Sequence, residues 1–245
     1  MRILPLLVAL FLPAAAAAQY VLPVGSGVVS ISPKKAGTRA RPAAVAIRAT
    51  IDTNVEQSQV STNEIVLTQP RQLVFDGRGL RARDYCTVAE INDGGVRVCS
   101  KKAEIGAATG NGTDAVLYPR LTPVSFKVRV FLAGRDRLAV HLASRTSGIN
   151  INQAIHGYVT KVAGRQQIRI EIPPELVQPN PGLYVGIKQV RIAIRKMRLG
   201  GHPLLGLTGC PRGGLPFRVR VNLVPNPAPP AVGSAEGSAT AGCRR

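Results

Sequence analysis

The sequence predicts an all-β fold, an antiparallel β-sandwich, and three observations carry that reading. Apolar residues recur with a period of two in one segment after another, the pattern of strands with one buried face. No stretch offers an amphipathic helix of ordinary length, and no alternation of strands with helices points to a parallel sheet. Strand signals separated by turns every ten to twenty residues, with nineteen prolines among them, suit a sandwich of immunoglobulin-like or jelly-roll-like type.

The clearest segment runs from Ser125 to Ala143. Phe126, Val128, Val130 and Leu132 alternate with Ser125, Lys127, Arg129 and Phe131. After Ala133-Gly134-Arg135-Asp136, Leu138, Val140 and Leu142 alternate with Arg137, Ala139, His141 and Ala143. This is a hairpin with an apolar side for a core and a basic side, carrying Lys127, Arg129, Arg137 and His141, for solvent.

Taken in order, the chain begins with a segment that reads as a secretory signal. Arg2 supplies the positive charge, Ile3 to Leu12 the apolar run and Ala16-Ala17-Ala18 the cleavage site, so residues 1–18 are expected to be removed before Gln19. The run is shorter than the ~20 residues of a membrane span. Residues 19–30 form a lead-in without clear period, and the sandwich domain is placed at 31–224. Val45, Ile47 and Ile51 mark a first good strand, Ile65 and Leu67 a second, and Leu73 with Phe75 leads into the turn Asp76-Gly77-Arg78-Gly79. Glu90-Ile91-Asn92-Asp93-Gly94-Gly95 reads as a turn. The glycines of Ala103 to Gly112 lack any phosphate-loop spacing and read as a strand with an edge or bulge.

Beyond the hairpin, Ile149 to Val162 continues as strand, and Ile168, Ile170 and Ile172 alternate with Gln167, Arg169 and Glu171. Pro173-Pro174 ends that strand. Residues 175–184 form a proline-rich connection. Val190, Ile192 and Ile194 differ in phase from Val185 and Ile187, which predicts a bulge near Lys188. Phe217, Val219, Val221 and Leu223 form the last strand. Residues 225–245, rich in Pro, Ala, Gly and Ser, are expected to be a disordered tail.

Export makes disulfides available to the four cysteines. Cys86 and Cys99 flank a natural turn and are the first choice for a pair. That leaves Cys210 and Cys243, the latter inside the tail. A zinc site would need a closer ligand spacing: there is no C-x-x-C, and only His202 lies near a cysteine.

Lys and Arg total 32 against 13 acids, a formal charge of +19, or +18 once Arg2 is removed. Such a field attracts polyanions. The outward positions Lys127, Arg129, Arg137, Arg169, Arg191, Arg195, Arg218 and Arg220 are the candidate residues, because a guanidinium fork grips phosphate or carboxylate in two places. Gathered on one face they would form a basic plate; divided, they are a solvated surface.

The chain is poorly supplied for several other chemistries. Its three histidines, His141, His156 and His202, stand in no recognisable catalytic frame. With no Trp and 4% aromatics it lacks stacking platforms for sugars or single-stranded nucleic acid. Its aspartates are scattered rather than set in a calcium loop. No cofactor, metal or catalytic residue is called for. The competing reading is a secreted hydrolase using His141 or His156 with a nearby carboxylate.

Several motifs occur together: Ser32-Pro33-Lys34-Lys35-Ala36-Gly37-Thr38, Cys86 through Cys99 followed by Ala103 to Gly110, Ile172-Pro173-Pro174-Glu175-Leu176, and Cys210-Pro211 ahead of Phe217-Arg218-Val219. In these the chain resembles, over about Ile31 to Leu223, a group of uncharacterised secreted proteins of high-GC actinobacteria. It departs from their pattern at Ser100, where Pro would follow Cys99. The resemblance implies an exported β-rich domain and no catalytic residues. The expectation is therefore a secreted, non-enzymatic module associated with the cell envelope. Its partner would be an anionic wall polymer or an anionic membrane surface, in preference to nucleic acid.

Overall fold

The structure is a computed structural model that describes residues 27–52, 60–117, 120–146, 149–177, 184–225 and 233–245. The signal segment, most of the lead-in, the middle of the proline-rich connection and the first part of the tail lie outside the described residues. The strands are β1 (Gly27–Ser32), β2 (Ala43–Ala44), β3 (Ala46–Asp52), β4 (Val60–Thr68), β5 (Leu73–Phe75), β6 (Glu104–Leu117), β7 (Arg120–Leu132) and β8 (Arg137–Thr146). They continue as β9 (Ile149–Val162), β10 (Arg165–Glu171), β11 (Tyr184–Ile194), β12 (Arg198–Leu199), β13 (His202–Pro203), β14 (Leu205–Leu207), β15 (Leu215–Pro225) and β16 (Gly233–Ala241). Two short helices, α1 (Val88–Gly94) and α2 (Pro174–Val177), interrupt them.

The fold is all-β and antiparallel. In place of two stacked sheets, eleven strands form one sheet in the order β1-β3-β11-β6-β7-β8-β9-β10-β4-β15-β16. Within this sheet each of the nine strands between β1 and β16 is paired on both sides, so the ladder has no break at which a second large sheet could begin. The sheet curls until its ends meet, which leaves little open edge for another chain to add to. A side chain placed on Gly27 of β1 would touch Cβ of Ala239 on β16 at 3.7 Å. Beyond this seam a parallel bridge joins Lys35 to Arg244. Across the fold β11 and β4 approach within 8 Å between Cα atoms, so the barrel-like sheet is flattened. The bulge expected near Lys188 is present, as a register shift between Ile187 and Gln189.

The period of two settles which side chains fill the interior. Val128, Val130 and Leu132 of β7, Leu138 and Val140 of β8, and Ile155 and Val159 of β9 are buried in one core with Ile31, Ile47, Leu215 and Phe217. One end of the barrel is closed by a small sheet, β2-β14-β5. It brings Leu73, Phe75, Leu205 and Leu207 into the same core. Gln166 of β10 holds this plug: its Oε1 accepts from the Phe75 N–H at 2.6 Å and its Nε2 donates to the Phe75 carbonyl at 2.9 Å. Gly110 of β6 leaves room for the Phe126 ring, which a Cβ there would meet at 2.1 Å. This glycine lies in mid-sheet between β11 and β7, not at an edge.

Part of the outer surface is covered rather than solvated. The segment expected to be a plain turn forms α1, started by a capping box in which the Thr87 and Glu90 side chains satisfy each other's backbone N–H groups. The Cys86–Cys99 disulfide closes the loop that carries it. Ile91 packs with Phe131, Ala139 and Ala154 on the outward face of β7, β8 and β9. Asn92 completes the β9 edge where β10 has ended, accepting from the Ala154 N–H at 2.7 Å and donating to the Ala154 carbonyl at 3.2 Å.

Two boundaries need correction. The tail expected to be disordered carries β16, whose nine residues pair with β15 from Leu215↔Ala241 to Leu223↔Gly233. Its low strand propensity is outweighed by the ladder that β15 supplies, and its small side chains fit the seam: Ala235 and Ala241 are fully buried. The second disulfide, Cys210–Cys243, pins its far end. The lead-in likewise contains β1, which begins at Gly27 and pairs along its length with β3.

Candidate basic surface

Seven of the eight outward cations lie on strands of one sheet and Arg195 directly follows one of them, but they fall on separate walls of the curled surface. On the wall built by β3, β11, β6 and β7, register fixes their neighbours. Arg191 faces Thr50 and Thr109, Ala193 faces Arg48 and Ala107, Ala107 faces Arg129, and Thr109 faces Lys127. Arg195 follows β11 directly, its N–H bonded to the Ile105 carbonyl at 2.8 Å. Arg48 is thus a diagonal neighbour of Arg191 and stands beside the end of the strand that leads to Arg195, with the methyl group of Ala193 opposite it on β11 and Ser30 opposite it on β1. Diagonal pairs across strands lie about 7–8 Å apart, within reach of two arginines binding one anion. Between them runs a shallow groove of about 280 Å³ lined by Val28, Ser30, Arg48, Thr50, Arg191 and Ala193.

Charge pairing separates the candidates. Arg129 is bonded to Glu104 and stacks over the Phe131 ring at 5.2 Å, so its charge is neutralised locally. Arg169 is held by Glu64 through two nitrogens, with Glu171 at 3.8 Å. That bond to Glu64 raises the guanidinium pKa above its ordinary value. Glu64 also accepts from Asn222. Arg169 therefore serves a hydrogen-bonded cluster joining β10, β4 and β15. Arg218 and Arg220 are exposed on β15, Arg220 in register with Glu236. Arg137 is exposed at the start of β8, in register with Tyr158. Among the described residues, no ion pair engages Lys127, Arg191, Arg195 or Arg48.

Arg48 is the residue that reading the sequence missed. It occupies an outward position of the first good strand, between Ile47 and Ala49, and alternation alone would have assigned its face. What the chain does not display is its pairing partner, which comes from β11 far downstream.

The histidines occupy different settings. His141 was expected to face solvent; its side chain does point outward, yet it is 7% exposed, because the α1 loop covers the neighbouring surface. Its Nε2 lies 2.9 Å from Oδ1 of Asn152, an amide and not a carboxylate. His156 is exposed and stacks on Tyr158 with 6.0 Å between ring centroids. His202 is exposed at the start of β13, directly after the Gly200-Gly201 turn, near enough to Asp76 to contribute to its charge environment. Asp76 itself is held below the usual carboxylate range, chiefly by its hydrogen bonds to Arg78. Among the described residues, no three His, Cys, Asp or Glu side chains gather as metal ligands would. No helix among them is long and apolar enough to cross a membrane.

No protein family, curated protein or solved structure matches this chain. The basic wall must therefore be read from its own chemistry.

Proposed function

We propose that this protein is an exported, non-enzymatic module of the cell envelope that holds an anionic polymer against the wall formed by β3, β11, β6 and β7. The observation that carries the reading is the groove between Arg48 and Arg191, continued by Arg195 and Lys127, with no carboxylate in ion-pair contact with any of these four among the described residues. Unpaired guanidinium groups spaced along a groove suit phosphate or carboxylate groups spaced along a chain. A membrane surface is less well served, since Val28 is the one large apolar side chain exposed at this groove. Two disulfides support an oxidising compartment, and the segment from Met1 to Ala18 supports export.

The test is a salt series with the chain from Gln19 to Arg245, measuring retention on a purified phosphodiester wall polymer, on anionic vesicles and on duplex DNA. Retention on the polymer should fall steeply with salt. The variant Arg48→Gln/Arg191→Gln/Arg195→Gln should flatten that dependence by roughly one unit of log–log slope for each phosphate contact removed. Preference for vesicles or DNA would name a different partner, and retention untouched by the triple variant would end the assignment to this wall.

A further inference from the structure

A second basic site is assembled where β16 ends. Cys243 is bonded to Cys210, and the next residue is tied to the other side of the seam. The Arg244 N–H donates to the Lys34 carbonyl at 2.9 Å, and the Ala36 N–H donates to the Arg244 carbonyl at 2.9 Å. Facing this segment is a tight turn from Pro211 to Gly214, closed by the Gly214 N–H to the Pro211 carbonyl at 3.1 Å. Gly213 stands at its third position with φ of +86°, where such a turn demands glycine. Gly214 must also be glycine, because a Cβ would come 2.7 Å from the Ala241 carbonyl oxygen. Nothing lies within 4 Å of where a Cβ on Gly213 would be, so the turn's backbone is open to a ligand.

The turn and the pinned segment border a shallow, open depression of about 360 Å³ lined by Arg212, Arg244 and Arg245 together with the disulfide and Gly213. Its setting is free of acids in sequence: residues 27–51, 176–235 and 237–245 contain no Asp or Glu. Lys34 and Lys35 adjoin it through the bridge to Arg244. Three arginines line this one small volume, and among the described residues no Asp or Glu side chain is paired with them, so their charge exceeds what a single carboxylate would neutralise. They match a compact anion of several charges, each fork taking two phosphate oxygens.

We propose that this corner is a binding site for a diphosphate or the end of a polyphosphate, and that it exists only while Cys210 and Cys243 are bonded to each other. Two of its three arginines, Arg244 and Arg245, follow Cys243, and beyond the end of the β15–β16 ladder at Ala241 two backbone hydrogen bonds alone would hold them if the bond opened. The site is separate from the wall groove and stands whether or not that groove holds polymer.

The experiment is calorimetric titration of the oxidised chain with inorganic pyrophosphate and, separately, with a polyphosphate chain. Wild-type protein should bind one pyrophosphate per chain. Both Arg212→Gln/Arg244→Gln and Cys210→Ala/Cys243→Ala should weaken binding at least tenfold, while Cys86→Ala/Cys99→Ala and the wall triple variant should not. Tighter binding of polyphosphate, saturating with one protein per chain end, would identify the polymer end as the ligand; tighter pyrophosphate binding would identify the free anion. Circular dichroism checks that each variant is folded, and the arginine pair, being on the surface, keeps the test open should the cysteine pair fail to fold. Unchanged affinity in the arginine variant, or full affinity in a folded Cys210→Ala/Cys243→Ala chain, would overturn the proposal. Loss of polymer retention in the wall variant with pyrophosphate binding intact separates the two sites.

Discussion

Replacing Gln166 by Ala tests how the barrel keeps its plug. β5 pairs with β14 on one side only, and on its other side the Gln166 amide takes the place of a strand, bonding both the N–H and the carbonyl of Phe75. Phe75 is buried, so the truncation leaves a donor and an acceptor facing away from water. Each such group costs about 1–3 kcal/mol. With some water reaching the shortened side chain, a total loss of about 2–4 kcal/mol in urea unfolding is expected. If the plug opens locally before the barrel does, protection of the Phe75 amide against hydrogen exchange should fall by roughly 30- to 700-fold, the same energy expressed as a ratio. Gln166→Glu keeps an acceptor for the N–H but sets a second carboxylate oxygen against the Phe75 carbonyl, so it should not restore wild-type stability. A loss below about 0.5 kcal/mol in Gln166→Ala, with Phe75 exchange unchanged, would refute the idea that one amide stands in for a missing strand.

Asn92→Ala removes the same device from the β9 edge, and should cost about 1–3 kcal/mol with faster exchange at the Ala154 amide; urea melts and exchange mass spectrometry check both. The disulfides close loops of 33 and 13 residues, so chain entropy predicts losses of about 3.7 kcal/mol for Cys210→Ala/Cys243→Ala and about 2.9 kcal/mol for Cys86→Ala/Cys99→Ala. Equilibrium unfolding in guanidinium should therefore rank the C-terminal pair as the larger loss. The Glu90 carboxylate lies below its ordinary value of 4.5 because it accepts first from the Thr87 N–H and then from the Thr87 hydroxyl. A lowered folded-state pKa means that its contribution is present above pH 4.5 and is lost as the pH falls through the folded value. Melting temperatures of wild type and Glu90→Gln should consequently differ at neutral pH and converge in acid.

The strands legible in the sequence were those in which large apolar residues alternate with polar or smaller ones. Phe126 to Leu132, Leu138 to Leu142, Val190 to Ile194 and Phe217 to Leu223 show a period of two because the main core, and for Val221 and Leu223 a smaller cluster with Ala235, takes every second residue. β16 was illegible because Gly, Ser and Ala differ too little in hydropathy to mark a face, and its stability comes from β15 and a distant cysteine. Helix α1 did carry a signal, Thr87 followed three residues later by Glu90, but its seven residues present no amphipathic period. Closure into one sheet was hidden for another reason. The pairings of β3 with β11, and of β4 with β10 and β15, join segments remote in sequence, and alternation states which face a residue takes without naming its neighbour.

The same distinction decides which cations can matter. Alternation placed Arg129 and Arg191 alike on the outer face, and the wall includes both. Neighbours then gave them opposite roles, Arg129 meeting Glu104 within the same hairpin and Arg191 meeting Arg48 across strands drawn from opposite halves of the chain. A cation beside an acid lowers the local field and stiffens the sheet, whereas one beside another cation adds self-repulsion that a bound anion can relieve. In the wall groove and at the Cys210–Cys243 corner, cations from distant segments are brought together with no acid in ion-pair contact among the described residues; Asp52, the other diagonal neighbour of Arg191, accepts instead from Gln189. At both places the fold sustains a repulsion that packing alone does not require, and an anionic ligand is what would relieve it.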